Sequence, residues 1–491
     1  MTCSLAAAWR RSSFWALPLL WTLALGLWGL SRQHTLWRDE AATWQVAQRP
    51  VADIWHMLGQ VDAVHGFYYL LMHGLFACFG SGTTTLRLPS VLAMSCAAAC
   101  VAVIGRRLAG QLVGLTAGLA FGLLPAVQFY LQEGRSYALV AMGAGISTLL
   151  LVTMLEDGGR GGGLGGDRGR WRRWAAYGGT VLLCALLNWL SLLLLPAHLA
   201  TLLWSKAERG IWTRWAAASA AAVTAALPLI LFSRSQSDQV SWIPPLTWHM
   251  MIGPAVLLLI GGIGALADRA RAGRLSVAAV GLPLLVVPQI GLIGLSLVQP
   301  LFLDRYVLFS MLGLALLIGT ALGAAVAALG KRFRRTSSWL LPVAVVVALL
   351  ALLPQLLAKR SPTSRVDDVL AIAADVRHLK KTGDAVLFIP AARRDTALVS
   401  PDAFAGLRDI ALAESAAASG TLKGLEAGPD RIRTDLSSQQ RVLLVTDAPQ
   451  VARPVSAARD EAKLSVLRAS FTVVADRQVL GRRVTVYERR S

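Results

Sequence analysis

From about residue 13 to residue 357 the apolar residues come in blocks, separated by short stretches that hold nearly all the charge. Blocks of roughly 20 residues are long enough for a helix to cross about 30 Å of hydrocarbon. Backbone amides in lipid must pair within their own segment, so such blocks read as helices. The pattern predicts eleven of them: 13–31, 87–104, 110–130, 136–154, 175–188, 190–204, 214–232, 249–267, 276–298, 305–329 and 338–357. The apolar run Gly66–Gly80 is short for a span. It reads as a juxtamembrane or re-entrant helix inside a long first external loop, 32–86. The first block follows Arg10-Arg11 and is not followed by a small-residue cleavage site, so it is expected to stay as the first helix.

Beyond residue 357 the pattern changes. Residues 358–491 are polar and mixed. Val366–Lys381 has the spacing of an amphipathic helix, Ala385–Pro390 and Arg441–Thr446 read as buried strands, and Phe471–Arg489 as a hairpin around Leu480-Gly481. This is expected to be a small α/β domain with its own core. An odd number of spans puts it outside the cell, with 1–357 as a plasma-membrane, multi-pass domain.

Composition agrees with a membrane protein. The chain of 491 residues is 55% hydrophobic and 15% charged, with mean hydropathy +0.55, against about 25% charged residues in soluble proteins. The net charge of +20 does not imply nucleic acid, because Lys and Arg cluster between the apolar blocks. With the N-terminus inside, Arg10-Arg11, Arg106-Arg107, the Gly/Arg loop 156–173, Arg269–Arg274 and Lys331–Arg335 all face the cytoplasm. Isolated arginines such as Arg32, Arg38, Arg49, Arg87, Arg135 and Arg305 face outward, as do Asp39, Glu40, Asp62, Glu133 and Asp304. The Gly-rich loop has no preceding strand and no Lys-Ser/Thr, so it reads as a flexible linker and not a phosphate loop. Five cysteines, none in the polar part, exclude an internal disulfide there. Cys96 and Cys100 read as packing residues.

Polar chemistry thus gathers on the outer face. Trp37-Arg38-Asp39-Glu40 follows the first helix directly, and the same loop continues into Asp62, His65 and the Tyr68-Tyr69 pair. The acidic pair reads either as an ordinary interfacial loop or as part of a functional site. Arg87 reads either as a snorkelling interfacial residue or as a phosphate ligand. Glu133 and Arg135 either neutralise each other or belong to a site, and Asp304-Arg305 has the same two readings. Trp242-Ile243-Pro244-Pro245 reads as a rigid extended loop. No metal constellation is evident and no cofactor is expected, although a divalent metal at the acidic loop stays open.

The runs WRDEAATW, DAVHGFYYLLMHGLF, LRLPSVLA, QEGRSYAL and FLDRYVLFSMLGLAL occur in the order found in bacterial family-39 glycosyltransferases, which are similar to protein O-mannosyltransferases and lipid A aminoarabinose transferases. The resemblance covers about residues 1–330. It implies the GT-C fold and inverting transfer of a sugar, mannose first among those expected, from a polyprenyl-phosphate carrier at the outer membrane face. On that resemblance Asp39 is the catalytic base and Glu40 its companion. Asp62 and His65 match the family's Asp-x-His-Pro-Pro region, with Gly66-Phe67 where the family has Pro-Pro. Tyr69, Glu133 and Tyr137 become donor- or acceptor-site candidates, and Arg87, Arg135, Arg305 and Tyr306 phosphate-binding candidates. The implied partners are the lipid-linked donor, membrane lipids, and an acceptor protein, lipid or cell-wall glycan. Two other readings are a transporter or flippase of lipid-linked sugars, which would use the same external arginines, and a non-catalytic membrane partner with the C-terminal domain as its binding module.

Overall fold

The computed structural model describes residues 14–30, 34–158, 167–236, 243–268, 275–332 and 339–490. Arg10-Arg11, Arg32, Gly159–Gly166 of the Gly/Arg loop, Trp242, Arg269–Arg274 and Arg334-Arg335 lie outside the described residues. Contacts divide the chain into two compact units: Met1–Leu30 with Arg87–Lys359, and Ser31–Leu86 with Arg360–Ser491. The loop 32–86, grouped by sequence with the membrane part, therefore packs with the C-terminal domain.

The first unit is helical. Seven helices among the described residues are long and apolar enough to cross a membrane, and four shorter apolar ones accompany them. Each of the eleven sequence-predicted helices has a counterpart, and the differences lie at breaks. The 110–130 block is two helices, Gln111–Leu123 and Pro125–Tyr130. Pro125 forces Leu124 out of helical geometry (φ −58°, ψ 130°) and then starts the next helix, where a missing N–H costs nothing. The helix predicted from residue 87 starts at Thr83 and runs to Ala109, so Pro89 sits inside it and not in its first turn. Asn188 ends one helix as expected, and its side chain caps a 3-10 turn at Trp189–Leu193 by accepting from Leu190 N–H at 3.0 Å.

Small residues let these helices approach closely, as is usual where lipid offers no hydrophobic drive to association. A Cβ added at Gly319 would fall inside van der Waals distance of the Ala117 backbone, and one at Gly313 would meet the Gly281 carbonyl. The Gly319 carbonyl accepts a hydrogen bond from Thr116 Oγ1 at 2.7 Å, so the contact is polar as well as close.

The second unit joins a three-helix loop to an α/β domain. The helices are Arg38–Ala47, Val51–Gln60 and Gly66–Phe79. They bury Val46, Ile54, Met57, Leu58 and Tyr69 together, and Trp44 meets Phe76 edge-on with ring centroids 5.6 Å apart. In the domain β1 (Ala385–Ile389), β2 (Arg408–Asp409), β5 (Arg441–Asp447), β6 (Phe471–Val479) and β7 (Arg482–Arg489) form a sheet in the order β2-β1-β5-β7-β6. β1 is parallel to β2 and β5, and β7 is antiparallel to β5 and β6. Short strands β3 (Leu412–Glu414) and β4 (Leu425–Glu426) pair separately. The unbroken apolar run AVLFI of β1 is buried throughout, as a strand covered on both faces requires. Alternate residues feed opposite cores: Val386 and Phe388 meet Ile372 and Val376 of the Val369–Leu379 helix, while Ala385 and Leu387 meet Ile432, Leu436 and Leu467.

Candidate active site

In the second unit, Asp39 and Glu40 lie in the first turn of the Arg38–Ala47 helix. Carboxylates there suit the helix dipole, which is the structural use of such a pair. Their surroundings differ: Glu40 is fully buried and Asp39 keeps partial exposure. A group that takes a proton from a substrate needs access, and Asp39 has it.

Asp62, His65 and Tyr69 come together. Asp62 adopts a left-handed conformation (φ 63°), one that Asp tolerates better than most residues, and starts a single 3-10 turn, Ala63–His65. Its carboxylate accepts a hydrogen bond from the Tyr69 hydroxyl and lies 3.8 Å from His65 Nε2. The His65 and Tyr69 rings meet edge-on at 6.1 Å. Gly66-Phe67 in place of Pro-Pro does not disperse this group, because Gly66 opens the helix that carries Tyr69 one turn further on.

The Trp37-Arg38-Asp39-Glu40 motif is also tied to the C-terminal domain. Arg38 donates from its backbone N–H to Asp367 Oδ1 at 3.0 Å and from Nε to Asp367 Oδ2 at 3.1 Å. Asp367 receives Arg482 as well, from Nε at 3.0 Å and Nη2 at 2.9 Å, and Arg482 continues to Asp395 at 2.7 and 2.8 Å. The side chains of Asp367 and Arg482 are completely buried. Burial by itself would raise the Asp395 carboxyl; Arg482, Arg393 and Thr396 outweigh it and hold that carboxyl below the usual range. Val369 N–H donates to the Leu36 carbonyl at 2.7 Å, so the backbone joins the contact.

In the first unit the sequence-predicted arginines sit among buried polar groups. Arg87, Glu133 and Arg135 are all buried. Ser90, one turn after Arg87, donates to the Glu133 carbonyl at 2.5 Å and approaches that of Arg135 at 3.4 Å. Gln132 caps the end of the Ala16–Leu27 helix by donating to the carbonyls of Gly26 and Trp28 at 2.7 and 2.9 Å. The turn 131–136 is therefore pinned on two sides. The Arg305 guanidinium lies over the Tyr137 and Tyr306 rings, 5.7 and 6.0 Å from their centroids. Asp304 accepts from the Tyr130 hydroxyl at 3.0 Å and from the Arg305 backbone N–H at 2.8 Å. A partly exposed guanidinium backed by aromatic faces is a fitting seat for an anion. Among the described residues, no group of three or more His, Cys, Asp or Glu side chains is placed to hold a metal ion.

No protein-family model matches the chain, and no curated protein matches it by sequence. Solved structures do. The chain is similar to apo ArnT from Cupriavidus metallidurans, at 15% identity over 98% of each chain with a TM-score of 0.59. It is similar to the same protein bound to undecaprenyl phosphate, at 14% identity over 97% of this chain and 98% of that one, with a TM-score of 0.58. It is also similar to the apo oligosaccharyltransferase of Archaeoglobus fulgidus, at 11% identity over 89% of this chain and 69% of that one, with a TM-score of 0.53. The chain has the GT-C fold. Within it, the sequence reading missed Asp367, Arg482 and Asp395, because the polar domain showed no catalytic constellation by itself. Asp367-Asp368 reads as a helix start, and Asp368 does cap the Val369–Leu379 helix by accepting from Leu370 and Ala371 N–H at 3.1 Å. Nothing in the sequence links Asp367 to Arg38. Tyr130 and Asp304 were also missed as partners, although Asp304 stands next to a chosen arginine.

Proposed function

We propose that this chain is a polyprenyl-phosphate-dependent glycosyltransferase that acts at the outer face of the plasma membrane, with its C-terminal domain outside. The observation that carries the reading is the GT-C fold matched over 98% of both chains, to a protein also solved with undecaprenyl phosphate. Fold alone does not fix chemistry, so the residues must supply it. Asp39 is the accessible carboxylate and takes the role of general base. It removes the proton from an acceptor hydroxyl as that oxygen attacks the anomeric carbon, and the bond from that carbon to the phosphate oxygen breaks with inversion. General-base catalysis of this kind is worth about 10²–10⁴-fold. Arg305, on its two tyrosine faces, is assigned to the phosphate, whose charge grows as the carrier leaves. Arg87 and Arg135 are assigned to the same charge, and Glu40 supports Asp39. Asp62, His65 and Tyr69 are assigned to sugar or acceptor hydroxyls, as are Glu133 and Tyr137. Mannose is the first donor to try, and an aminoarabinose donor the second.

The test uses the purified full-length protein with a panel of polyprenyl-phosphate sugars and reads release of polyprenyl phosphate. At least one donor should be turned over, and Asp39→Asn should lower the rate by about 10²-fold or more while expression and monodispersity stay normal. Full activity of Asp39→Asn would end the mechanism.

A further inference from the structure

The sheet order β2-β1-β5-β7-β6 has a specific consequence. From β1 the chain first moves to one side, to β2, and later returns on the other side as β5. Open α/β sheets form a crevice where connections part in this way, at the carboxyl ends of the parallel strands, and ligands usually occupy it. Here that edge carries Arg393 and Arg394 just after β1, Asp447 at the end of β5, and Arg482, which is in register with Asp447, at the start of β7. Arg393 pairs with Asp447 at 2.5 and 2.9 Å. Into the same edge comes Arg38, held by Asp367 and with Nη2 3.9 Å from Asp447.

A second hold lies at the far end of the Arg38–Ala47 helix. Thr421 offers its carbonyl to Arg49 Nη1 at 3.0 Å, and Leu422 packs on the Val46, Ile54 and Tyr69 cluster. The Arg38–Ala47 helix is thus gripped at both ends by segments more than 300 positions away in the chain.

We propose that the C-terminal domain works as a receptor for a segment of its own chain: its switch-point edge takes the Trp37–Glu40 motif where related sheets take a small ligand, and so fixes the position of Asp39. Asp367, Arg482 and Leu422 are then positioning residues. The catalytic half of this proposal rests on the glycosyltransferase reading; the docking half does not. A displacement of about 1 Å at a reacting group can cost about 10²-fold in rate, so loosening Arg38 should lower kcat by about 10- to 100-fold and leave the donor KM within about threefold.

The experiment is peptide-resolved hydrogen exchange on the full-length protein in detergent, with transfer kinetics on the same samples. Arg38→Met should speed exchange over residues 36–42 at least about tenfold while peptides across β1 and β5 keep wild-type rates. Arg38→Lys, which keeps the charge but loses the Nε hydrogen bond to Asp367, should recover part of both effects. Leu422→Ser should loosen residues 43–49 without touching the ionic end. Wild-type exchange over 36–42 in Arg38→Met overturns the docking. Faster exchange with undiminished kcat overturns the positioning role. Should Asp367→Asn also unfold β1 and β5, the Arg38 variants still decide the matter. A wild-type protein that turns over no donor would refute the proposed function, and the exchange measurements would judge the docking on their own.

Discussion

Removing Arg482 is the sharpest physical test of how the second unit is held together. Arg482 is completely buried and binds two carboxylates, Asp367 and Asp395, with a further hydrogen bond from Nη1 to Thr396 Oγ1 at 2.9 Å. Breaking a buried pair by removing one partner costs about 3–5 kcal/mol, because the other charge stays desolvated. A domain is stable by only about 5–15 kcal/mol, so Arg482→Met should consume much of that margin. The pH dependence should also change sign. In the wild type the Asp395 carboxyl lies below its usual value. Its contribution to stability is fully present above about pH 4, the ordinary carboxylate range, and is lost as the pH falls below that. In Arg482→Met burial prevails and raises Asp395. The protonated form is then the stable one when folded, and the domain loses stability as the pH rises through the raised value. Residues 361–491 contain no cysteine, so a Val445→Cys reporter at a fully buried position of β5 marks opening of this domain alone. The assay equilibrates the full-length protein in urea at pH 5 and at pH 8, then labels briefly at one common pH and locates the label by mass spectrometry. Arg482→Met should open at clearly lower urea, and at lower urea still at pH 8 than at pH 5. A midpoint equivalent to within about 0.5 kcal/mol of the wild type, or better stability at pH 8 than at pH 5, would refute the reasoning.

Two further substitutions address the first unit. Arg305→Ala removes a charge held over the Tyr137 and Tyr306 rings and should raise the apparent donor KM about tenfold or more, a loss of at least about 1.4 kcal/mol; an unchanged donor KM would remove Arg305 from phosphate binding. Gly319→Val drives a branched side chain into the Ala117 backbone and should cost about 1–3 kcal/mol or more, read as a lower melting temperature in detergent; an unshifted melting temperature would mean that these helices part there without penalty.

The parts of the fold that the sequence made legible are those set by local pattern. Apolar blocks announced the helices, the run AVLFI announced a strand covered on both faces, and Leu480-Gly481 announced a hairpin whose strands, Phe471–Val479 and Arg482–Arg489, form as expected. Boundaries failed where a proline was read by its block and not by its neighbours. Leu124-Pro125 breaks a helix that periodicity had joined, and Pro89 lies within a helix it was expected to open. At the candidate site, Asp62, His65 and Tyr69 were close enough in sequence to be grouped, and they meet. The Arg38–Asp367–Arg482 relay was not legible. Its members lie hundreds of positions apart, and each alone has an ordinary use: an interfacial arginine, a helix-start carboxylate, a strand-end arginine. Only a fold that brings Ser31–Leu86 and Arg360–Ser491 into one compact unit gives them a shared one.

That union also sets a timetable for biogenesis. Leu86 and Arg360 bound the two segments of the second unit, with the 273 residues Arg87–Lys359 between them. At synthesis rates of about 5–20 residues per second, the loop waits roughly 15–55 s for the domain that holds Arg38 and Arg49. During that interval Ile54, Met57 and Tyr69 have each other but lack Leu422, and Arg38 lacks its carboxylate. A ribosome stalled just after residue 360 leaves the described helices of the first unit made and Arg38 without Asp367. The segment from Arg360 onward, made after the loop, is thus what completes the packing around Arg38 and Arg49.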